Sequence, residues 1–430
     1  MIVNLKFKNY RSYRDAAEFS FEALDSDVNS GAITTTALKD GSVIRLLNSA
    51  AIFGANASGK SNVIHALRDL SSTVDKSRSY IPDYKPHFIN PYAFDQNYLS
   101  KDTVIEIGFL FEGKRYLYTI SGIARSGKQA IISNEILSEI RNGNSITVFN
   151  RNKDISISVG DEFPTLRKLA SDNDILPNQL FLSSLATKDA NGLQYIANYL
   201  ASLAVFDGNT HAGSHRDRQI VMESVIKNTD SSLFKKLEKL LRIADLGINK
   251  IKAERNKDSD FSFPTDIDNN IKQGFIENFR WNISLGHQTT NPREICLLPF
   301  EAESEGTKAI FGVGARLLDA LQNGAFIAYD EINDSIHPAI LRFIVSLFHS
   351  PLSNPKGAQL LFSTHDASVA DHDTFRADQV WFVEKHDSVS DLFSAQDFSD
   401  VGIRVPFEMW YRSGRFGALP SIGEFEDIFQ

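Results

Sequence analysis

Eight residues constrain this chain more than any others: Gly54-Ala55-Asn56-Ala57-Ser58-Gly59-Lys60-Ser61. They match GxxxxGK[ST]. The apolar run Ala50-Ala51-Ile52-Phe53 before them suits a buried strand, and Val63, Ile64, Leu67 and Leu70 after them recur at helical spacing. Strand, glycine turn, helix is the context in which such a loop wraps a phosphate. Glycines let backbone N–H groups point inward, and the helix start adds partial positive charge. Lys60 supplies a point charge, and the Ser61 hydroxyl suits a hard cation that prefers oxygen. Gly54, Asn56, Ala57, Gly59, Lys60, Ser61 and Asn62 are therefore the expected nucleotide-binding residues.

The α/β pattern extends on both sides. Residues 1–22 alternate as a hairpin, and 103–150 return to strands around 104–107, 116–118 and 146–149. Helical patterns dominate from about 160 to 290, at 180–187, 190–206, 217–228 and 231–245. Residues 308–321 then read as a helix, 326–329 as a buried strand, and 338–349 as a helix opened by Pro338. Residues 359–363 and 380–383 are further strands. The expected architecture is an α/β P-loop fold, a mixed sheet flanked by helices, with an inserted mostly helical domain. Its parts are 1–158, a helical insertion at 159–290, and 291–430.

Composition narrows the setting. The formal charge is −9, from 45 Lys plus Arg against 54 Asp plus Glu, which argues against a general polyanion binder. Cys296 is the single cysteine, so an intrachain disulfide and a multi-cysteine zinc site are excluded. The longest uncharged run, 190–206, contains Asn191, Gln194 and Asn198 and reads as a buried helix, not a membrane span. A cytoplasmic protein without a membrane segment is expected.

Three further segments carry chemistry. Phe326 to Tyr329 end in Asp330-Glu331, where a carboxylate can hold Mg²⁺ and its neighbour can act as general base toward water. Ser304, Gly306 and Thr307 stand ahead of the helix at 308–321, where hydroxyl and N–H donors can meet an anion, or simply cap the helix. His365, in Ser363-Thr364-His365-Asp366, ends a strand and can contact a phosphate or be structural.

The order of these parts resembles ABC-type ATPase heads. The chain is similar to the ABC-like AAA ATPases related to OLD, RecF and SMC proteins, and most similar to the RloA/AbiL phage-defence type. The residues that carry the resemblance are Phe7-Lys8-Asn9-Tyr10-Arg11-Ser12-Tyr13, Gly54 to Asn62, Ala244-Asp245-Leu246-Gly247-Ile248, Asp330-Glu331 through His337-Pro338, Ser363 to Asp366, and Gly414-Arg415-Phe416-Gly417-Ala418-Leu419-Pro420. The resemblance implies an ATP-hydrolysing nucleotide-sandwich dimer, or a higher even-numbered oligomer. In it the P-loop, Asp330 and Ser61 (on Mg²⁺), Glu331 and His365 of one subunit bind ATP. Ser304, Gly306 and Thr307 of the other close on it in trans, with Asn333 and Asp334 as the D-loop. Glu303, Glu305 and Thr307 depart from the usual Leu-Ser-Gly-Gly-Gln signature, and Glu305 must point away from phosphate or be neutralised by a cation. Gln96 is a weak candidate for the glutamine loop.

The resemblance also implies a sensor that controls a separate effector, a Toprim-type or other nuclease, in anti-phage defence. A RecF-like repair ATPase that binds DNA directly, and a nucleotide-switched scaffold with little hydrolysis, are the alternatives. Lys235, Lys236, Lys239 and Arg242 could contact nucleic acid, but a solvated helix face is the preferred reading. His211 and His215 have metal-ligand spacing if helical, without an evident third ligand. Asp172-Asn173-Asp174 and Asp371-His372-Asp373 lack the strand context of a two-metal nuclease. A fused Toprim domain is therefore expected to be absent. No Asn-Lys-x-Asp guanine motif follows a strand.

Overall fold

The computed structural model describes residues 1–25, 30–124, 129–190, 192–208, 231–244, 247–264, 266–291, 293–370, 373–398 and 406–419. The pattern at 217–228, both His211 and His215, Asp245-Leu246, Asp371-His372 and Pro420 lie outside the described residues.

Two large sheets face each other. One has seven strands in the order β10-β9-β8-β7-β6-β1-β2. These are β1 (Ile2–Lys8), β2 (Ala17–Ser20), β6 (Thr103–Phe111), β7 (Lys114–Ile123), β8 (Ile131–Arg141), β9 (Asn144–Asn152) and β10 (Ile157–Val159). Every neighbouring pair is antiparallel. The other has six strands in the order β11-β15-β16-β5-β17-β18. These are β5 (Ser49–Phe53), β11 (Ala204–Asp207), β15 (Phe326–Asp330), β16 (Gln359–Ser363), β17 (Val380–His386) and β18 (Val389–Ser394). Its first five strands run parallel, and β18 pairs antiparallel on the edge.

The central strands β5, β15 and β16 are buried throughout, and apolar between their ends, because both faces are covered. Ala50, Ile52, Phe326, Ala328, Leu361, Trp381 and Val383 point toward the seven-stranded sheet and the helix α1 (Lys60–Lys76). Their neighbours Ala51, Phe53, Ile327, Tyr329, Leu360, Phe362 and Phe382 face the opposite core. That core holds the later helices, among them α6 (Ser231–Ile243), α8 (Glu305–Asn323), α9 (Pro338–His349) and α10 (Phe407–Arg412). Strands β12 (Ile248–Arg255), β13 (Trp281–Gln288) and β14 (Ile295–Pro299) form a small antiparallel sheet beside α6, and β3 (Ile33–Ala37) pairs with β4 (Val43–Leu47).

The segment 159–290 is less uniformly helical than its pattern predicts. It supplies α3 (Pro164–Ser171), α4 (Phe181–Leu185), α5 (Leu193–Ala201), α6 and α7 (Asn269–Asn278), but also β11, β12 and β13. The expected helix 190–206 stops after Ala201, and Ala204 to Asp207 turn into a strand in register with Ile327 to Asp330. Parallel pairing and the Phe206–Tyr329 ring stack, 5.0 Å between centroids, override the helical period there.

A buried charged group docks α4. The Glu135 carboxylate accepts from Tyr118 Oη (2.8 Å) and from the backbone N–H groups of Phe181 (2.7 Å) and Leu182 (2.9 Å). Arg151, fully buried, donates to the carbonyls of Ile132 and Pro177, both at 3.1 Å. These bonds satisfy groups that burial would otherwise leave costly.

Candidate nucleotide site

The site forms where parallel strands end. The loop after β5, Asp330-Glu331 after β15 and Thr364-His365 after β16 all lie at the carboxyl edge of one sheet, the place where open α/β sheets bind ligands. Asn56, Ala57, Gly59, Lys60, Ser61 and Asn62 line one cleft of about 360 Å³ together with Glu331 and His365.

Glycine is required at two points of the loop. Gly59 has φ +116°, and a Cβ there would sit 2.5 Å from Ser390 Oγ and 2.8 Å from Ser12 Oγ. At Gly54 a Cβ would collide with the Val383 carbonyl oxygen. Ala57 adopts φ +61°, an uncommon left-handed conformation for a residue with a side chain.

The Lys60 ammonium donates to the carbonyls of Gly54 (2.8 Å) and Ala55 (2.9 Å), which curls the loop over it. Burial pushes its pKa down, while the carboxylates of Glu331 and Asp330 oppose that shift. Asp330 is buried and accepts from Ser363 Oγ at 2.5 Å. The same hydroxyl accepts from the Glu331 backbone N–H at 2.8 Å. Glu331 itself has φ +49°, so the chain turns sharply as it leaves β15. His365 is exposed in the cleft, with Asn333 Nδ2 3.4 Å from its Nε2.

Two residues that line the cleft, Ser12 and Lys385, and one behind the loop, Ser390, carry no site role in the sequence reading. Ser390 Oγ donates within the Ser12–Ser58 cluster, 2.7 Å from Ser12 Oγ and 2.5 Å from the Ser58 carbonyl. Asn62 Nδ2 donates to Ser12 Oγ at 2.7 Å, and Tyr13 Oη to the Gly59 carbonyl at 3.3 Å. The opening Phe7-to-Tyr13 segment therefore buttresses the phosphate loop from below. No local signal marks Ser390, because β18 joins the site only through the antiparallel edge of the sheet.

The structure moves attention from Gln96 to Asp207. Gln96 opens the one-turn helix α2 (Gln96–Leu99), is exposed, and does not line the cleft. Asp207 instead ends β11 in register with Asp330. Ligand atoms of His65, Asp207 and Asp330 lie within 4.8 Å of one another. Arg68 pairs with Asp207, and His65 Nε2 is 3.3 Å from its Oδ1.

Ser304, Gly306 and Thr307 do not line this cleft. Ser304 is the N-cap of α8: its Oγ accepts from the Thr307 N–H at 3.1 Å. It is nevertheless exposed, and Gly306 is half-buried beside the Ser335 carbonyl. Lys308 Nζ lies 2.9 Å from the exposed Glu305 carboxylate. That cation answers the requirement that Glu305 be neutralised. Asp334, like Asn333, lies in the turn that follows Glu331, and its backbone N–H donates to the Glu331 carbonyl at 3.1 Å. His337 is the N-cap of α9, its Nδ1 accepting from the Ala339 N–H at 3.2 Å.

A glycine loop between strand and helix, its lysine curled beneath it and an Asp-Glu pair facing it from the next strand but one, defines an ATPase of the P-loop α/β class. Residues 49–371, well over half of the chain, match the family described as "AAA domain, putative AbiEii toxin, Type IV TA system". The chain belongs to that family. Among solved structures, the SMC head domain from Thermotoga maritima aligns with a TM-score of 0.43 and 15% identity, over 91% of this chain and 98% of that one. No curated protein matches the chain. Among the described residues no helix is long and apolar enough to cross a membrane.

Proposed function

We propose that this AAA protein binds and hydrolyses ATP in the cleft and works as a pair of heads that close around the nucleotide. One observation supports this most directly: Gly59, Lys60, Ser61, Asn62, Glu331 and His365, far apart in sequence, line a single cleft. The donors fit the ligand. Lys60 and the start of α1 suit phosphate oxygens. Ser61 and Asp330 offer hard oxygen ligands for Mg²⁺, which when bound neutralises phosphate charge.

Within this reading Ser363 holds the Asp330 carboxylate and the Glu331 backbone at once. It thereby fixes the two acidic groups relative to each other. Glu331 orients and deprotonates the attacking water. His365 approaches the terminal phosphate. The exposed Ser304 hydroxyl and the Gly306 N–H, with Thr307 behind them, serve the partner head, and Asn333-Asp334 lie along the seam. The parts 1–158 and 291–430 make up the head, and 159–290 is the inserted region. We further propose that the heads belong to the RloA/AbiL type and gate a separate nuclease effector in phage defence. ATP closes the heads and hydrolysis reopens them.

Lys60→Ala and Glu331→Gln separate the steps. Nucleotide binding is read with a fluorescent ATP analogue, turnover by phosphate release, and head pairing by light scattering. Lys60→Ala is expected to lose binding. Glu331→Gln is expected to bind, hydrolyse slowly and accumulate dimers. Wild-type turnover by Glu331→Gln would remove Glu331 as the base.

A further inference from the structure

The carboxyl edge of the six-stranded sheet gives the cleft a direction. Along it the strands run β15, β16, β5, β17, β18. Glu331 follows β15 and His365 follows β16, on one side of the phosphate loop that follows β5. Lys385 belongs to β17, on the other side, and lines the same cleft. A nucleotide that brings its terminal phosphate to Glu331 and His365 therefore carries its base toward Lys385. An aromatic ring outside all the motifs stands there. The Lys385 ammonium lies 5.5 Å from the centroid of the Phe94 ring, and Phe94 is 66% exposed.

Phe94 is held from behind. The buried Tyr92 ring packs against it, 5.6 Å between centroids. The Tyr92 N–H donates to Asn9 Oδ1 at 3.0 Å, and the Arg11 N–H donates to the Asn90 carbonyl at 2.7 Å. The segment 90–94 is thus strapped to the opening segment, whose Ser12 lines the cleft. A held ring loses little freedom when a second ring stacks on it, and a large apolar side chain left in water gains from being covered. We infer that Phe94 is the stacking platform for the base of the nucleoside triphosphate whose phosphates the loop holds, with the Lys385 ammonium at the edge of that base. This rests on the reading of the cleft as an ATP site. It makes the site one that grips the nucleoside as well as the phosphates.

Isothermal titration of the full chain with Mg²⁺ and either ATP or inorganic tripolyphosphate tests this. Phe94→Ala is expected to weaken ATP binding at least about fivefold, the low end of the loss when a ring that stacks on a base is truncated. Its affinity for tripolyphosphate should equal that of the wild type, which also shows that the variant folds with its phosphate loop intact. Phe94→Trp should restore ATP binding, and the indole fluorescence it adds should be quenched by ATP and not by tripolyphosphate. Equal ATP affinity in Phe94→Ala and the wild type overturns the platform and leaves the ATP site standing. An equal loss for ATP and tripolyphosphate also overturns it, because Phe94 would then support the loop and not the base. A wild type that binds neither ligand overturns the ATP site, and the platform with it.

Discussion

Replacing Gly59 by alanine isolates the feature on which the nucleotide site depends. At φ +116° a residue with a side chain carries roughly 1–3 kcal/mol of backbone strain. Its Cβ would also press on Ser390 Oγ at 2.5 Å and Ser12 Oγ at 2.8 Å. Neither hydroxyl can yield freely, because each is tied to the other and to Ser58 or Asn62. Overpacking of this kind adds about 1–3 kcal/mol. A total of about 2–6 kcal/mol against the phosphate-wrapping shape of the loop corresponds to at least about 30-fold weaker ATP binding. Gly143→Ala is the control. Its φ is +78° but nothing lies within 4 Å of an added Cβ, so it carries strain without overlap, and it sits in the β8–β9 turn. Isothermal titration with ATP and Mg²⁺, alongside thermal melting, reads both variants. Gly143→Ala should bind as the wild type does. If Gly59→Ala binds ATP within threefold of the wild type, the assignment of this loop as the phosphate cradle is refuted.

Three more outcomes follow from buried polar groups. His349 Nε2 lies 3.1 Å from the Gln379 amide nitrogen and 2.8 Å from Ser49 Oγ, so it must accept, and burial lowers its pKa to about 4. The unfolded chain takes up a proton near pH 6.5 that the native state refuses, so stability should fall by about 3 kcal/mol between pH 6.5 and 4, and His349→Gln should flatten that slope in urea titrations. Arg151→Met should cost about 1–3 kcal/mol in urea unfolding, because it leaves the carbonyls of Ile132 and Pro177 without their buried donor. Asn9 Nδ2 donates to the carbonyls of Tyr98 (3.0 Å), Lys101 (3.1 Å) and Asp102 (3.3 Å), and its Oδ1 accepts from the Tyr92 N–H at 3.0 Å. Asn9→Ala should therefore make the chain between 90 and 102 cleave at least about tenfold faster in limited proteolysis, with lesser effect elsewhere.

The phosphate loop was legible because its chemistry is local. Gly54 to Ser61 need only each other, a strand before and a helix after, and the helix at 338–349 is announced by Pro338 and its own apolar period. The Asp330-Glu331 pair was legible for the same reason. Elements held by distant partners were not. Ala204 to Asp207 look helical until β15 offers a ladder, and Gln96, only a weak candidate from the sequence, lies away from the cleft. The role of Asn9 was hidden in the same way, since its partners lie about ninety residues away.

The amino-acid order alone determined that this chain grips a phosphate and that acidic groups ending a strand accompany the grip. Short-range backbone geometry and hydropathy suffice for that. Only the tertiary structure decided which acids face Lys60, that Ser12 and Ser390 brace the loop, and that Phe94 stands beside Lys385. Those facts depend on which strands become neighbours, and that is settled by burial on both faces of the sheet and not by any single stretch of residues.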